Sequence, residues 1–116
     1  MRILVTLEKD YRAYQDMLAA AIRVLRPQAE VETASLEELG ERIERFDPEL
    51  VIYSRSNNVD LGDRVSWVEL SVDPIQPTKM CVDGRYSERT NPTVDVLLAA
   101  IDEVEELIQT NDIFSS

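Results

Sequence analysis

A chain of 116 residues with a net charge of −11, 44% hydrophobic and 30% charged, has the size and composition of one globular domain that buries about two-thirds of its unfolded surface. The acidity repels phosphate backbones and anionic membranes, and the ten Arg and two Lys are interspersed with acids, so nucleic acid and membrane are set aside as partners. The absence of histidine removes Ser-His and Cys-His nucleophile pairs, histidine bases and histidine metal sites, and Cys81 alone supports neither an intrachain disulfide nor structural zinc.

The lone cysteine fits a reducing compartment. The apolar run Ile3-Leu4-Val5 behind Arg2 is too short for a signal-peptide core or a membrane span. Together they give a cytoplasmic expectation. No EF-hand loop, phosphate-cradling glycine loop or internal repeat is present, and no cofactor is implied.

Residues 2–7 form a near-continuous apolar run, the pattern of a strand covered on both faces. Asp10 reads as the N-cap of a helix whose apolar stripe is Tyr14, Leu18, Ala21, Ile22 and Leu25, stopped by Pro27. Residues 30–33 predict a second strand, and with Val31 as its only large apolar residue it belongs at an edge. Ser35 to Glu38 has the form of a capping box. Leu36, Leu39, Ile43 and Phe46 then make one helical stripe, with Glu38–Arg42 and Glu41–Arg45 spaced to pair on the wet side. Asp47-Pro48 ends that helix, and residues 50–53 form a third strand. Two strand–helix units followed by a strand argue for a parallel sheet with right-handed crossovers.

From Ser54 the pattern changes. Residues 54–64 are polar, with only Val59 and Leu61 to pack, too few for a crossover helix. Residues 67–72 alternate, Val68, Leu70 and Val72 against Trp67, Glu69 and Ser71. Residues 78–83 alternate again, Met80 and Val82 against Lys79, Cys81 and Asp83. The link between them is far shorter than the dozen or so residues of a parallel crossover, so the two form an antiparallel hairpin. Residues 84–91 read as a polar loop, and Asn91-Pro92 as the start of a last helix. Val94, Leu97, Leu98, Ile101, Val104 and Ile108 are its buried stripe. One domain over residues 1–110 is followed by a frayed tail over 111–116.

The segments Ile3-Leu4-Val5-Thr6-Leu7-Glu8, Val31-Glu32-Thr33-Ala34 and Pro48-Glu49-Leu50-Val51-Ile52-Tyr53-Ser54 carry a resemblance. Over residues 2–56 the chain resembles the receiver domain of the two-component response regulators. In that family the first strand ends in a pair of acids that hold Mg²⁺, and those positions here read Leu7 and Glu8. The phosphoacceptor position reads Ser54, and serine does not form the labile acyl-phosphate of an aspartate. The family's fourth-strand Ser/Thr and fifth-strand Lys-Pro have no counterpart in the second half, where Val82-Asp83-Gly84 ends the hairpin. The resemblance implies the packing of the fold, with the first and last helices on one face, and does not imply phosphorylation.

The expected architecture is α/β: a single open, mixed five-stranded sheet with a parallel N-terminal βαβαβ, a C-terminal β-hairpin and a final helix, a receiver-like variant of the flavodoxin-like type. Its expected core includes Leu4, Leu18, Ile22, Leu39, Ile43, Val51, Val68, Val82, Leu97 and Ile101.

Ligands of open α/β sheets bind outside the carboxyl ends of the parallel strands. That rim gathers Glu8, Asp10, Ser54, Arg55, Ser56, Asn57 and Asn58. Arg85, Ser87, Arg89 and Thr90, just before the last helix, add a second candidate anion site. Cys81 has no histidine to activate it and reads as a packed residue. The hairpin is the stronger feature. With the later receiver helices missing, one face of its half-sheet lacks cover, and that face carries Trp67, Glu69, Ser71, Lys79 and Cys81. Trp67, the only tryptophan, is the expected interface anchor. The expectation is a non-catalytic, pseudo-receiver-type interaction module, regulatory and self-associating as a homodimer or bound to a protein partner. No metal, cofactor or catalytic residue is assigned. The alternative is a domain that binds a small anion or nucleotide-like ligand at the strand-end rim and the Arg85–Thr90 segment.

Overall fold

Ile3, Leu4 and Val5 have no exposed surface, and the strand they form is the one on which the sheet is built. The computed structural model describes residues 1–54, 66–70, 77–82, 84–89 and 94–115, with main chain only at 36, 94, 95 and 109–115. In chain order the elements are β1 (Arg2–Thr6), α1 (Arg12–Leu25), β2 (Glu30–Thr33), α2 (Leu39–Phe46), β3 (Leu50–Tyr53), β4 (Ser66–Glu69), β5 (Thr78–Val82), β6 (Arg85–Arg89) and α3 (Val94–Ser115), with 3-10 turns at Lys9–Tyr11 and Leu36–Glu38.

The strands lie in the order β2-β1-β3-β4-β5-β6. The first four are parallel; β5 and β6 each run antiparallel to the strand before. The α/β class, the edge position of β2 and the β4–β5 hairpin are as expected. The flavodoxin-like topology and the five-strand count are not. A parallel fifth strand needs a long crossover, which the short link after β4 does not provide. The residues read as a polar loop instead form β6, because Val82 pairs with Arg85 across a two-residue turn in which Gly84 takes φ 75°.

Two layers of helix flank the sheet unequally. Leu18, Ala19 and Ile22 of α1 and Leu97, Ala100, Ile101 and Val104 of α3 share one core with Ile3, Val5, Ile52, Val68, Met80 and Val82. Leu39 of α2 packs with Leu4, Val51 and Tyr53 on the opposite face. Of the expected core only Ile43 is half-buried, packed against the α2 cluster.

The helix starts differ from expectation. Asp10 lies within a 3-10 turn, and α1 begins after Tyr11 with no side-chain cap. The Ser35–Glu38 box is likewise a 3-10 turn, in which the Glu38 N–H donates to the Ser35 carbonyl at 3.0 Å, and α2 has no side-chain cap. The α2 ion pairs do form, Arg42–Glu38 at 3.5 Å and Arg45–Glu41 at 2.9 Å. α2 ends on Asp47 in the left-handed region, φ 52°, ahead of Pro48. The phase of α1 is also shifted: Gln15, Leu18, Ala19 and Ile22 face the core, while Tyr14 and Leu25 are exposed. α3 runs as helix to Ser115, through the stretch expected as tail. Among the described residues no helix is long and apolar enough to cross a membrane.

Arg26 ties α1 to α3. Its Nε and Nη2 donate to the two carboxylate oxygens of Asp102 at 2.6 and 2.7 Å, a bidentate pair. The hydrogen bonds from Arg26 hold the Asp102 carboxyl below its ordinary value of 3.8. The pair therefore stabilises the fold above that value and ceases to as pH falls through the lowered one. Asp102→Asn should melt slightly below the parent protein at pH 7, and the gap should narrow as pH falls below 3.8. Thermal melts at pH 7 and below that value check this.

Candidate functional site

The face of the sheet that carries α2 is built from alternate residues, and two cross-strand rows define its second half. Registers place Leu4, Val51, Trp67, Cys81 and Tyr86 in one row and Thr6, Tyr53, Glu69, Lys79 and Glu88 in the next. α2 covers Leu4, Val51 and Tyr53, and its cluster reaches Trp67. Beyond Trp67 no helix among the described residues lies over this face of β4, β5 and β6; α3 packs on the other.

Aromatic rings line the border between the covered and uncovered halves. Trp67 sits 6.2 Å from Tyr53 and 6.3 Å from Tyr86, ring centre to ring centre, within the range of favourable tilted and edge-on contacts. Tyr53 is buried, Trp67 half-buried and Tyr86 56% exposed, so the three rings grade from core to surface. Beyond Tyr53 the second row alternates acid, base, acid: Glu69, Lys79, Glu88. The Tyr86 hydroxyl donates to Glu88 at 2.7 Å, and that bond pushes its pKa up to about 12. Burial, with the charge of Glu69 adding to it, raises the Tyr53 phenol as well. Both hydroxyls keep their protons at neutral pH.

Four of the five residues expected on this face, Trp67, Glu69, Lys79 and Cys81, share it by register. Ser71 lies outside the described residues. Tyr86 completes the face and was missed because residues 84–91 read as loop. The Asp83-Gly84 pair, a common two-residue hairpin sequence, was the available signal.

The strand-end rim is knitted to the scaffold. The Ser54 hydroxyl, 2% exposed, accepts the Glu8 main-chain N–H at 2.7 Å. The preceding N–H, of Leu7, donates to Oε1 of buried Gln15 at 2.7 Å. Two successive amides after β1 are thus satisfied by side chains from β3's end and from α1. Asp10 is exposed on its turn. Arg55, Ser56, Asn57 and Asn58 lie outside the described residues, as do Thr90 and Asn91-Pro92.

A cleft of about 820 Å³ does open at the ends of β1 and β2, but its charged lining is Glu8, Asp16, Glu37 and Glu38 against Lys9 and Arg12. The acids outnumber the bases, which disfavours an anion. Arg85 and Arg89 are on a strand, lining a separate groove of about 430 Å³ against α3. There Arg85 is paired with Glu103 at 2.9 Å. β4 and β5 separate β6 from β3, about 14 Å at the usual strand spacing. Among the described residues, Glu8 and Ser54 at the rim and the two arginines lie on different parts of the sheet.

Among the described residues no three carboxylate or thiol groups are placed to hold a metal ion. Thr6 Oγ1 is buried with no hydrogen-bond partner among the described residues. Thr6→Val should therefore raise stability, by about 1 kcal/mol, since it removes a desolvated hydroxyl at nearly constant shape. Urea unfolding of the two proteins measures it.

No family model, no curated protein and no solved structure matches the chain.

Proposed function

We propose that the chain is a non-catalytic, pseudo-receiver-type interaction module, regulatory and self-associating, which presents the β4–β6 face to a partner protein. One observation carries this reading. The chain of ring contacts from Tyr53 through Trp67 to Tyr86 runs from beneath α2 onto a half-face that no described helix covers. A tryptophan at such a border offers an amphipathic anchor for a second protein. The Glu69–Lys79–Glu88 row gives the partner charged groups at the rim, which set orientation more than affinity. With acids in excess there, a partner with basic side chains is favoured, and a guanidinium over Trp67 or Tyr86 adds a cation–π contact. Ser54, at the receiver's reactive position, supports the non-catalytic part: its hydroxyl is buried and already bonded to Glu8.

The experiment is site-specific photocrosslinking in the cells that make the protein. Benzoylphenylalanine replaces Tyr86 in one variant and Glu44, exposed on α2, in the other. The Tyr86 variant should give a discrete covalent adduct with another protein, identified by mass spectrometry, and the Glu44 variant should not. No adduct at Tyr86, or equal adducts at both positions, overturns the reading.

A further inference from the structure

α1 has two apolar sides, and the fold uses one. Gln15, Leu18, Ala19 and Ile22 are buried against the sheet. On the opposite side Ala13, Met17, Ala20 and Val24 face solvent, with Met17 57% and Val24 76% exposed. Tyr14, 38% exposed, flanks them. Solvent sides of helices are ordinarily charged or polar. Here the spacing along the exposed side is four, three, four, that of a two-helix seam. The helix has only three charged residues, Arg12, Asp16 and Arg23. Asp16 and Arg23 are one heptad apart and so lie on the same flank of the seam. Arg23 is fixed on that flank by its Nη2–H···O bond to Val31, 2.8 Å, which leaves most of its five donors for another acceptor.

We propose that this stripe binds the same stripe of a second copy, the two α1 helices running antiparallel about a two-fold axis. Antiparallel seams pair each first-type position with one of the second type. Met17 then meets Ala20 of the second copy, and Ala13 meets its Val24, large against small at every level. The same register sets Asp16 beside Arg23 of the second copy and Tyr14 over its Ala21, each contact occurring twice by symmetry. A parallel pair would stack Met17 on Met17 and Ala20 on Ala20, and would leave Asp16 without a cation. Side-chain size and charge therefore select the same arrangement. Exposed as they are, the apolar side chains of two copies would together leave water over an area on the order of 1,000 Å², the low end for a specific interface and suited to reversible association.

This contact goes beyond the proposed function, because α1 and the Trp67 face lie on opposite sides of the sheet. A dimer through α1 holds two β4–β6 faces open at once, and a partner with repeated binding segments gains affinity from engaging both.

Sedimentation equilibrium of the full chain from about 1 µM to about 1 mM tests the contact. The parent protein should shift from monomer to dimer within that range. Met17→Glu should weaken association by about tenfold or more without changing the far-UV spectrum or the melting temperature at about 1 µM, where both proteins are monomers. Val24→Lys should do the same, so the result does not rest on one variant. Asp16→Arg and Arg23→Asp should each weaken the dimer, and the double exchange should restore it, which a general loss of folding would not do. Trp67→Ala should leave the dimer intact. A protein that stays monomeric throughout, or a dimer that survives Met17→Glu and Val24→Lys, or one lost with Trp67→Ala, overturns the α1 contact. With the Tyr86 crosslink intact, any of these would leave the proposed use of the β4–β6 face standing, while a protein monomeric throughout would also remove the proposed self-association, so the α1 contact and the face can fail separately.

Discussion

Ile22→Ala should lower the free energy of unfolding by about 2–5 kcal/mol, while Val24→Ala, two residues on, should stay within about 0.5 kcal/mol of the parent protein. Ile22 has no exposed surface and packs in the core that α1 and α3 share with the sheet. Its truncation loses transfer free energy and leaves a cavity lined by side chains that are themselves fixed. Val24 is 76% exposed and has little to lose within one molecule. Against a total stability of about 5–15 kcal/mol for a domain of this class, the first change takes a large share. Urea unfolding of both variants reads the contrast, with unchanged slopes expected. Equal costs would mean that α1 is turned the other way on the sheet.

Gln15→Leu should cost about 1–3 kcal/mol even though the two side chains are close in size and leucine is the more apolar. Oε1 of Gln15 accepts the Leu7 N–H at 2.7 Å, and both residues are buried. Leucine fills the space and leaves that amide desolvated without an acceptor. The same variant should exchange its Leu7 amide proton faster than the parent protein does, by hydrogen-exchange NMR. A neutral or stabilising result would show that Gln15 is there for its bulk, with the amide satisfied by another route.

These two residues also show how far the sequence reads. The strands rich in branched apolar residues, Ile3–Val5 and Leu50–Tyr53, were legible because a short apolar run with turn signals beside it has few other uses. The β4–β5 hairpin was legible from alternation and a short link. Helix α1 was legible as a helix but not in its rotation. Apolar residues occupy so much of its circumference that periodicity admits more than one phase, and Tyr14 and Leu25 were placed inward where the fold puts Gln15 and Ala19. A buried glutamine looks polar on any hydropathy pattern; only the Leu7 amide that it accepts, a feature of the folded turn, explains it.

Strand β6 was illegible for a different reason. Arg85-Tyr86-Ser87-Glu88-Arg89 is exposed at every position, so burial leaves no imprint on its sequence. It becomes a strand because β5 offers an open edge and Gly84 permits the reversal. With β6 missed, Tyr86 was missed, although Trp67, Cys81, Lys79 and Glu69 of the same face were identified from the lack of cover over the hairpin. The rim was legible as a set of polar residues and not as hydrogen bonds. The sequence places Ser54 among candidate ligand-binding residues; in the fold its hydroxyl also accepts the Glu8 N–H and joins the end of β3 to the turn after β1.

The central proposal is that the chain works by presenting a surface and carries no phosphoacceptor carboxylate. Intact mass spectrometry after incubation with acetyl phosphate and Mg²⁺ tests it most directly. The account predicts an unchanged mass. A gain of one phosphoryl group that hydroxylamine removes, the signature of an acyl-phosphate on a carboxylate, would contradict it.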